Sequence, residues 1–552
     1  MRRLFIIATF ICLIAGVGIH ASKLYRGLSN GGSLVISQEE GNYYYDDQRD
    51  IKVAGLDIDG ITYFFLPSYI TDDAIEQISV NARILLPDGS LLERARFGEV
   101  QDILVDYGDG ENIPWKMCFM KSNNLYSAFI YFDGGLDISD LTREDYIGGS
   151  MSVVDPSGVE NYMDTGVEIK GRGNYSWQPD KKPMEIRLAD KASICGLEPA
   201  RKWALLTDYF DPTMMMNKLA MDLAGELGVE YTSDSEWLDV YVNSEYMGKY
   251  LICKEPDAGL SNVEYLFRKE VPHTYNKKPL GFISNGMKFV IDAPAYNEEP
   301  DIEHIKGIVD NADAEIRAGH YSGVIDEDSF IKRFLVEEFF YNADAMSHSY
   351  YFYNRPNDTK LYAGPCWDYD LSGGNFNGAA GLYYDYDISL VNLPDYPAYK
   401  ADKEEWIDWD RVLMEQPGYM NTMKEVYKTY RCQFERLINE GIDDAYMTIK
   451  ESVYMDDAKW QDKERHYLLY ENEIRHLKFF MTHRLKHMDE LTSYNSDSIS
   501  PDFNTGDTHV VTFVLHDGVE ESMSVTDGTR LWGEYLPKVD TNGLVWVNSL
   551  NE

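Results

Sequence analysis

Short runs of β-branched and aromatic residues separated by turn pairs dominate the early chain. IKVAGLDIDGITYFFLP, ISVNARILLPDG and LYSAFIYFDGG, with Asp-Gly and Pro-Asp-Gly turns, predict a small antiparallel β domain over 51–135. Strand patterning continues in SMSVVDPSG, GVEIKGRGNYSW and KKPMEIRLAD. A helix is expected near MMMNKLAMDLAGELG, then a hairpin, WLDVYVNSEYMGKYLICKE, turning at Asn243-Ser244. Two helices are predicted between 300 and 345. In the second, Phe330 and Phe334, Ile331 and Leu335, and Val336 and Phe340 stand four apart and mark a core face, with Asp326 and Asp328 available to cap its start. From 404 to 491 the chain reads as charged helices, with Leu468, Ile474, Leu477, Phe480 and Leu485 at helical spacing. HVVTFVLHDG and GLVWVNSL return to strand patterning. The expected division is a signal at 1–21, an acidic, tyrosine-rich linker at 22–50, the β domain at 51–135, a main domain at 136–491, a linker at 492–507 and a small β domain at 508–552.

Composition narrows the classes. A chain of 552 residues exceeds one core, and 44% hydrophobic content excludes a disordered chain. A net charge of −42 excludes nucleic acid as a partner, because phosphate binding needs Lys/Arg patches. It suits a basic protein partner or bound divalent cations, but acidity by itself favours plain solubility. Arg2 and Arg3 precede an apolar run from Leu4 to Ile19, then His20-Ala21-Ser22, which reads as a secretory signal. An uncleaved membrane anchor is the alternative, because Ile19 is large for a cleavage site. An exported chain is expected. Beyond Cys12 the cysteines are Cys118, Cys195, Cys253, Cys366 and Cys432, odd in number and without CxxC spacing, so buried free thiols are expected.

The stretch CWDYDLSGGN puts Asp368, Asp370, Ser372 and two glycines within seven positions, a way to hold a hard cation. It matches the first half of a calcium loop, but the position of the bidentate Glu is Ala379. Upstream, Asp344 falls where a helix pattern gives way to the strand-like YYFY. Two acids at the ends of neighbouring segments suit phosphoryl transfer, one taking the nucleophile's proton and the other holding Mg²⁺. Five residues after Asp344, where kinase catalytic loops place Asn, stands Ser349; a Ser hydroxyl can ligate Mg²⁺, less strongly than an amide oxygen. EIKGRGNYSWQPDKKPMEIRL reads as strand, glycine turn, strand. Either the turn is a plain hairpin, or Arg172 and the backbone N–H groups from Gly171 to Asn174 cradle phosphates, with Lys181 or Lys182 reaching them and Glu255 pairing with that lysine.

In order along the chain stand KGRGNYSW with KKPMEIRL, KWALLTDYFDPTMMMNKLAMDLAGELG, DVYVNSEYMGKYLICKE, NADAMSHSYYFYN and GPCWDYDLSGGN. This ordered set, between about residues 165 and 376, resembles the CotH-type (spore coat protein H-like) atypical protein kinases, and the helices to 491 look similar to that family's C-terminal part. The resemblance implies an α+β chain with a diverged two-lobed protein-kinase-like fold, flanked by small β domains. It implies ATP with Mg²⁺, or Mn²⁺, as cofactor, and Ser/Thr of surface or secreted proteins as acceptors. Asp344 takes the catalytic role and Asp368 the metal role, with Asp370, Ser349 and Asn375 around it. Arg172, Asn174 and Lys182 become phosphate contacts, with Glu255 as the lysine's partner. The acidic chain suits a basic, Ser-rich acceptor, and the export signal with the flanking β modules suits the cell envelope. The C-terminal segment is similar to β-grasp repeats of bacterial surface proteins. The rival reading is an inactive pseudokinase scaffold or an adhesion protein, the latter stabilised by Ca²⁺.

Overall fold

A computed structural model describes residues 33–37, 41–70, 82–92, 96–108, 110–257, 260–270, 280–294, 300–346, 348–374, 389–392, 409–460, 470–494, 508–514 and 520–526. These residues form a mixed α+β protein that divides into two units. The first is built from the stretches up to Tyr209, Ser233–Gly259 and Asp443–Glu464. The second is built from Phe210–Thr232, Leu260–Ile442 and the chain from Arg465 on.

In the first unit β1 (Ser33–Val35), β2 (Tyr43–Asp46) and β3 (Ile51–Ala54) make an antiparallel sheet. The stretch read as a linker therefore carries two strands. Its acidity hid a period-two pattern: Tyr44 and Asp46 are buried while Tyr43 and Tyr45 are half-buried, and Arg49 meets the Asp46 carboxylate at 2.9 Å. A second sheet holds β4 (Leu56–Ile58), β5 (Ile61–Leu66), β6 (Arg83–Leu85), β7 (Val100–Asp106) and β8 (Asn112–Lys121), in the order β4-β5-β8-β7-β6.

Seven strands then close a barrel: β9 (Tyr126–Phe132), β10 (Ile147–Val154), β11 (Glu160–Gly171), β12 (Met184–Ala192), β13 (Ala200–Leu206), β14 (Ser235–Val242) and β15 (Glu245–Lys254). Closure comes from β14 pairing in parallel with β9. β9 was grouped with the upstream strands from its sequence, and both of its faces explain why. Ala128 and Ile130 fill the barrel while Phe129 packs into the sheet core, so no polar side marks its allegiance. The β14–β15 turn falls at Asn243-Ser244, both with positive φ, as a tight hairpin turn requires.

The second unit carries a sheet of β16 (Tyr265–Lys269), β17 (Gly281–Ser284), β18 (Met287–Ala293), β19 (Tyr350–Asn354) and β20 (Tyr362–Ala363), in the order β17-β18-β16-β19-β20. Its helices are α1 (Met216–Leu227), α2 (Ile302–Arg317), α3 (Glu327–Phe340), α4 (Trp409–Met414), α5 (Pro417–Arg436) and α7 (Tyr470–Thr492); α6 (Ile442–Trp460) joins the first unit from Asp443 on. Phe267, Phe289, Phe330, Phe352 and Trp409 pack ring to ring between sheet and helices. Asp326 caps α3 through the Ser329 N–H, whereas Asp328 pairs with Lys332 at 2.7 Å. Inside α3, Glu338 is buried against Arg484 of α7 at 2.7 Å. An antiparallel hairpin of β21 (Thr508–Val514) and β22 (Glu520–Thr526) follows, while Leu468 and the GLVWVNSL segment lie outside the described residues. Cys118, Cys195, Cys253 and Cys366 are buried free thiols, but Cys432 is exposed on α5.

Candidate functional site

The C-terminal end of α3 organises the acidic motifs. The helix stops at Tyr341 in a left-handed conformation (φ 50°), and a 3₁₀ turn, Ala343–Met346, then carries Asp344. The chain enters β19 through His348 and Ser349. After β20 it reaches Asp368 and turns back at Gly373 and Gly374. The Gly373 N–H donates to the Phe340 carbonyl at 2.6 Å, and the Asn342 side-chain amide donates to the Asp368 carbonyl at 3.2 Å. Two bonds thus pin the CWDYDLSGG loop to the end of α3. The glycines are required there, with φ of 64° and 81°. A Cβ on Gly373 would run into Met216, and one on Gly374 would sit 2.7 Å from the Phe480 ring.

The two candidate acids are held by consecutive residues. His348 Nδ1 lies 3.4 Å from Asp344 Oδ1, and Ser349 Oγ donates to Asp368 Oδ2 at 2.9 Å. Both Ser349 (φ 51°) and Asp368 (φ 71°) adopt left-handed backbone, which costs about 1–3 kcal/mol each in a non-glycine residue and persists where the surroundings enforce it. Burial pushes the His348 imidazole toward neutrality. The hydrogen bond and charge of Asp344, with the charges of Glu270 and Asp368, outweigh it and raise its affinity for a proton. Glu270 follows β16, whose Lys269 pairs with Tyr350, so a third carboxylate borders this corner. His348 and Glu270 were not singled out from sequence. His348 stands inside the acidic motif with no local signal of its own, and Glu270 reaches the site only through strand pairing. Asp370 lies in the turn after Asp368, half-buried, and Asn375 lies outside the described residues.

The phosphate-clamp candidates are in the first unit. Arg172 Nε meets Glu255 Oε1 at 2.8 Å, so Glu255 pairs with that arginine and not with Lys182. Burial pushes the Glu255 carboxyl up, Arg172 pulls it back, and Glu185 and Asp257 push it up further. Lys182 Nζ donates to the carbonyls of Trp177 and Pro179, at 2.9 and 2.7 Å, which fastens the loop after the glycine turn. Asn174 flanks the short 3₁₀ turn Tyr175–Trp177, and its carbonyl accepts from the Trp177 N–H. The turn is more than a plain hairpin: Arg143 donates to the Gly173 carbonyl at 3.0 Å, and the Trp177 ring covers Gly171. Lys181, the other lysine of the pair, is buried against Asp456 and the carbonyls of Thr207 and Lys249.

Carboxylate and hydroxyl oxygens of Asp368 and Ser349 are hard donors suited to a hard divalent cation. Among the described residues no three His, Cys, Asp or Glu side chains are gathered to hold a metal by themselves. Mg²⁺ does not need such a set, since it commonly takes one or two carboxylates, with phosphate oxygens and water completing its shell. The donor set fits a cation delivered with a nucleotide.

The chain is thus a mixed α+β protein with two acids held at the end of one helix. Residues 169–488, more than half of the chain, match the model of the CotH kinase protein family, and the chain belongs to that family. It is similar to the inner spore coat protein H of Bacillus subtilis (strain 168), 24% identical over 359 residues that cover 62% of this chain and 91% of that relative.

Proposed function

We propose that this chain is an exported atypical kinase that transfers the γ-phosphate of ATP to Ser or Thr hydroxyls of surface or secreted proteins, with a diverged two-lobed kinase-like fold. One observation carries the reading. The two acids that the phosphoryl-transfer pattern singles out, Asp344 and Asp368, are held by adjacent residues, His348 and Ser349, at one helix end. The family's description as a kinase supports it.

On this reading the Asp344 carboxylate takes the proton of the acceptor hydroxyl as that oxygen becomes the nucleophile. His348 orients that carboxylate through Nδ1. Asp368 and Ser349 hold the cation. Bound Mg·ATP supplies the phosphoryl group and the positive charge that offsets the phosphate oxygens.

Thermal unfolding with and without Mg·ATP, beside Asp368→Ala and Asp344→Asn, tests the reading. Ligand at 100 times its Kd stabilises by about 2.7 kcal/mol, so the wild type should shift upward and Asp368→Ala should not. Asp344→Asn should still shift but lose about 10²- to 10⁴-fold in phosphate transfer. A folded wild type unmoved by millimolar Mg·ATP would overturn the kinase reading in favour of a scaffold.

A further inference from the structure

Asn342 is 1% exposed and sits two residues before Asp344, between the end of α3 and the 3₁₀ turn. Its amide is oriented by chemistry. The Nδ2 group faces the Asp368 carbonyl at 3.2 Å, and a carbonyl only accepts, so nitrogen must stand on that side. Oδ1 therefore points away from that carbonyl, and among the described residues no donor reaches it. A buried amide oxygen without a donor is costly unless something outside the chain meets it.

Ser349 is the residue that the spacing after Asp344 offers as an oxygen ligand, and its hydroxyl, which donates to Asp368 Oδ2, keeps its lone pairs for the cation. Asn342 supplies a stronger donor, a neutral amide oxygen, on the chain segment whose nitrogen already grips the Asp368 backbone. Amide oxygens are ordinary ligands of hard cations. Resting on the kinase reading above, we propose that the Asn342 side-chain oxygen is a ligand of the divalent cation held at Asp368. The amide oxygen then comes from two residues before the catalytic aspartate, not from the position five after it. The same side chain does two jobs: its nitrogen fixes the loop that bears Asp368, and its oxygen faces the ion.

Mn²⁺ serves as the probe, titrated into the purified chain with the non-hydrolysable analogue AMP-PNP while the signal of free aqueous Mn²⁺ is followed by electron paramagnetic resonance. Wild type should bind and Asp368→Ala should not. Asn342→Leu should weaken Mn²⁺ binding roughly tenfold to a hundredfold. Asn342→Asp, which loses the same nitrogen as the leucine variant but keeps an oxygen in place, should bind more tightly than Asn342→Leu. Melting of each variant without metal reports folding, and if the leucine variant does not fold, Asn342→Ala takes its place. Wild-type affinity in a folded Asn342→Leu, or an Asn342→Asp that binds no more tightly than it, overturns the assignment and leaves the kinase reading intact. A wild type that takes no Mn²⁺ with the nucleotide analogue overturns both.

Discussion

Single residues in this protein spend unusual conformations and buried charges at a few places. Asp239 on β14 is fully buried, accepting from Tyr246 at 2.9 Å and from Ser452 at 3.0 Å. Burial raises its carboxyl from 3.8 to about 6, the hydroxyls of Ser122, Tyr246 and Ser452 pull against that, and the charge of Asp456 adds to it. The sign follows from linkage. The folded state disfavours the ionised form, so stability from this group is full below pH 3.8 and is lost as pH rises through about 6. Asp239→Asn stays neutral throughout. Its stability relative to wild type should therefore grow between pH 4 and 6 and level off above, by up to roughly 3 kcal/mol for a shift of two units. Urea unfolding of both proteins across pH 4–8 measures the difference, and a difference flat across that range would contradict the assignment. None of this was visible in the sequence, where Asp239 sits in a strand like any other aspartate.

Among the elements, α6 shows how a late helix belongs to an early unit. Asp456 enters at β15, where Gly248 has φ of 112° and a Cβ would collide with the carboxylate. There Asp456 accepts from the Lys249 N–H at 2.9 Å and pairs with Lys181. Lys249 in turn meets Asp208 at 2.7 Å, both buried. Ser452 and Trp460 add bonds to Asp239 and the Met247 carbonyl. Removing one member of a buried ion pair leaves the other charge uncompensated, so Lys181→Met should cost about 3–5 kcal/mol in a denaturant melt. Lys181→Met combined with Asp456→Asn should recover part of that loss, and a double variant no better than the single one would refute the pairing. From sequence alone Lys181 and Lys182 were interchangeable; burial separates them, one locking a helix and the other fastening a loop.

For the whole molecule the net charge of −42 acts as a field and not through any one contact. On the kinase reading proposed above, an acidic surface should concentrate basic acceptors and raise their on-rate by about 10- to 1,000-fold at low ionic strength. Ser peptides rich in Lys and Arg should be phosphorylated faster than acidic ones, with the advantage shrinking as salt shortens the Debye length from about 10 Å at 0.1 M. Equal kcat/KM for both peptide sets at low salt would remove charge from acceptor choice.

The sequence by itself determined the element types wherever periodicity was strong: the α3 stripe, the β14–β15 turn at Asn243-Ser244 and the late helices all follow from local chemistry. It also determined the family, because an ordered series of motifs survives divergence. Glycine-rich and helix-end settings lent Asp344 and Asp368 a local signature as candidates only. Only the tertiary structure decided the strand order of the barrel, the place of β9 in it, the strands inside an acidic stretch, and the partners of Glu255 and Lys182. Those depend on residues far apart in the chain, such as Arg172 with Glu255 and Asp456 with Lys181. Hydrophobic pattern specifies which side of an element is buried, but not what lies across from it. That second choice is made when side chains distant in sequence compete for the same buried partner.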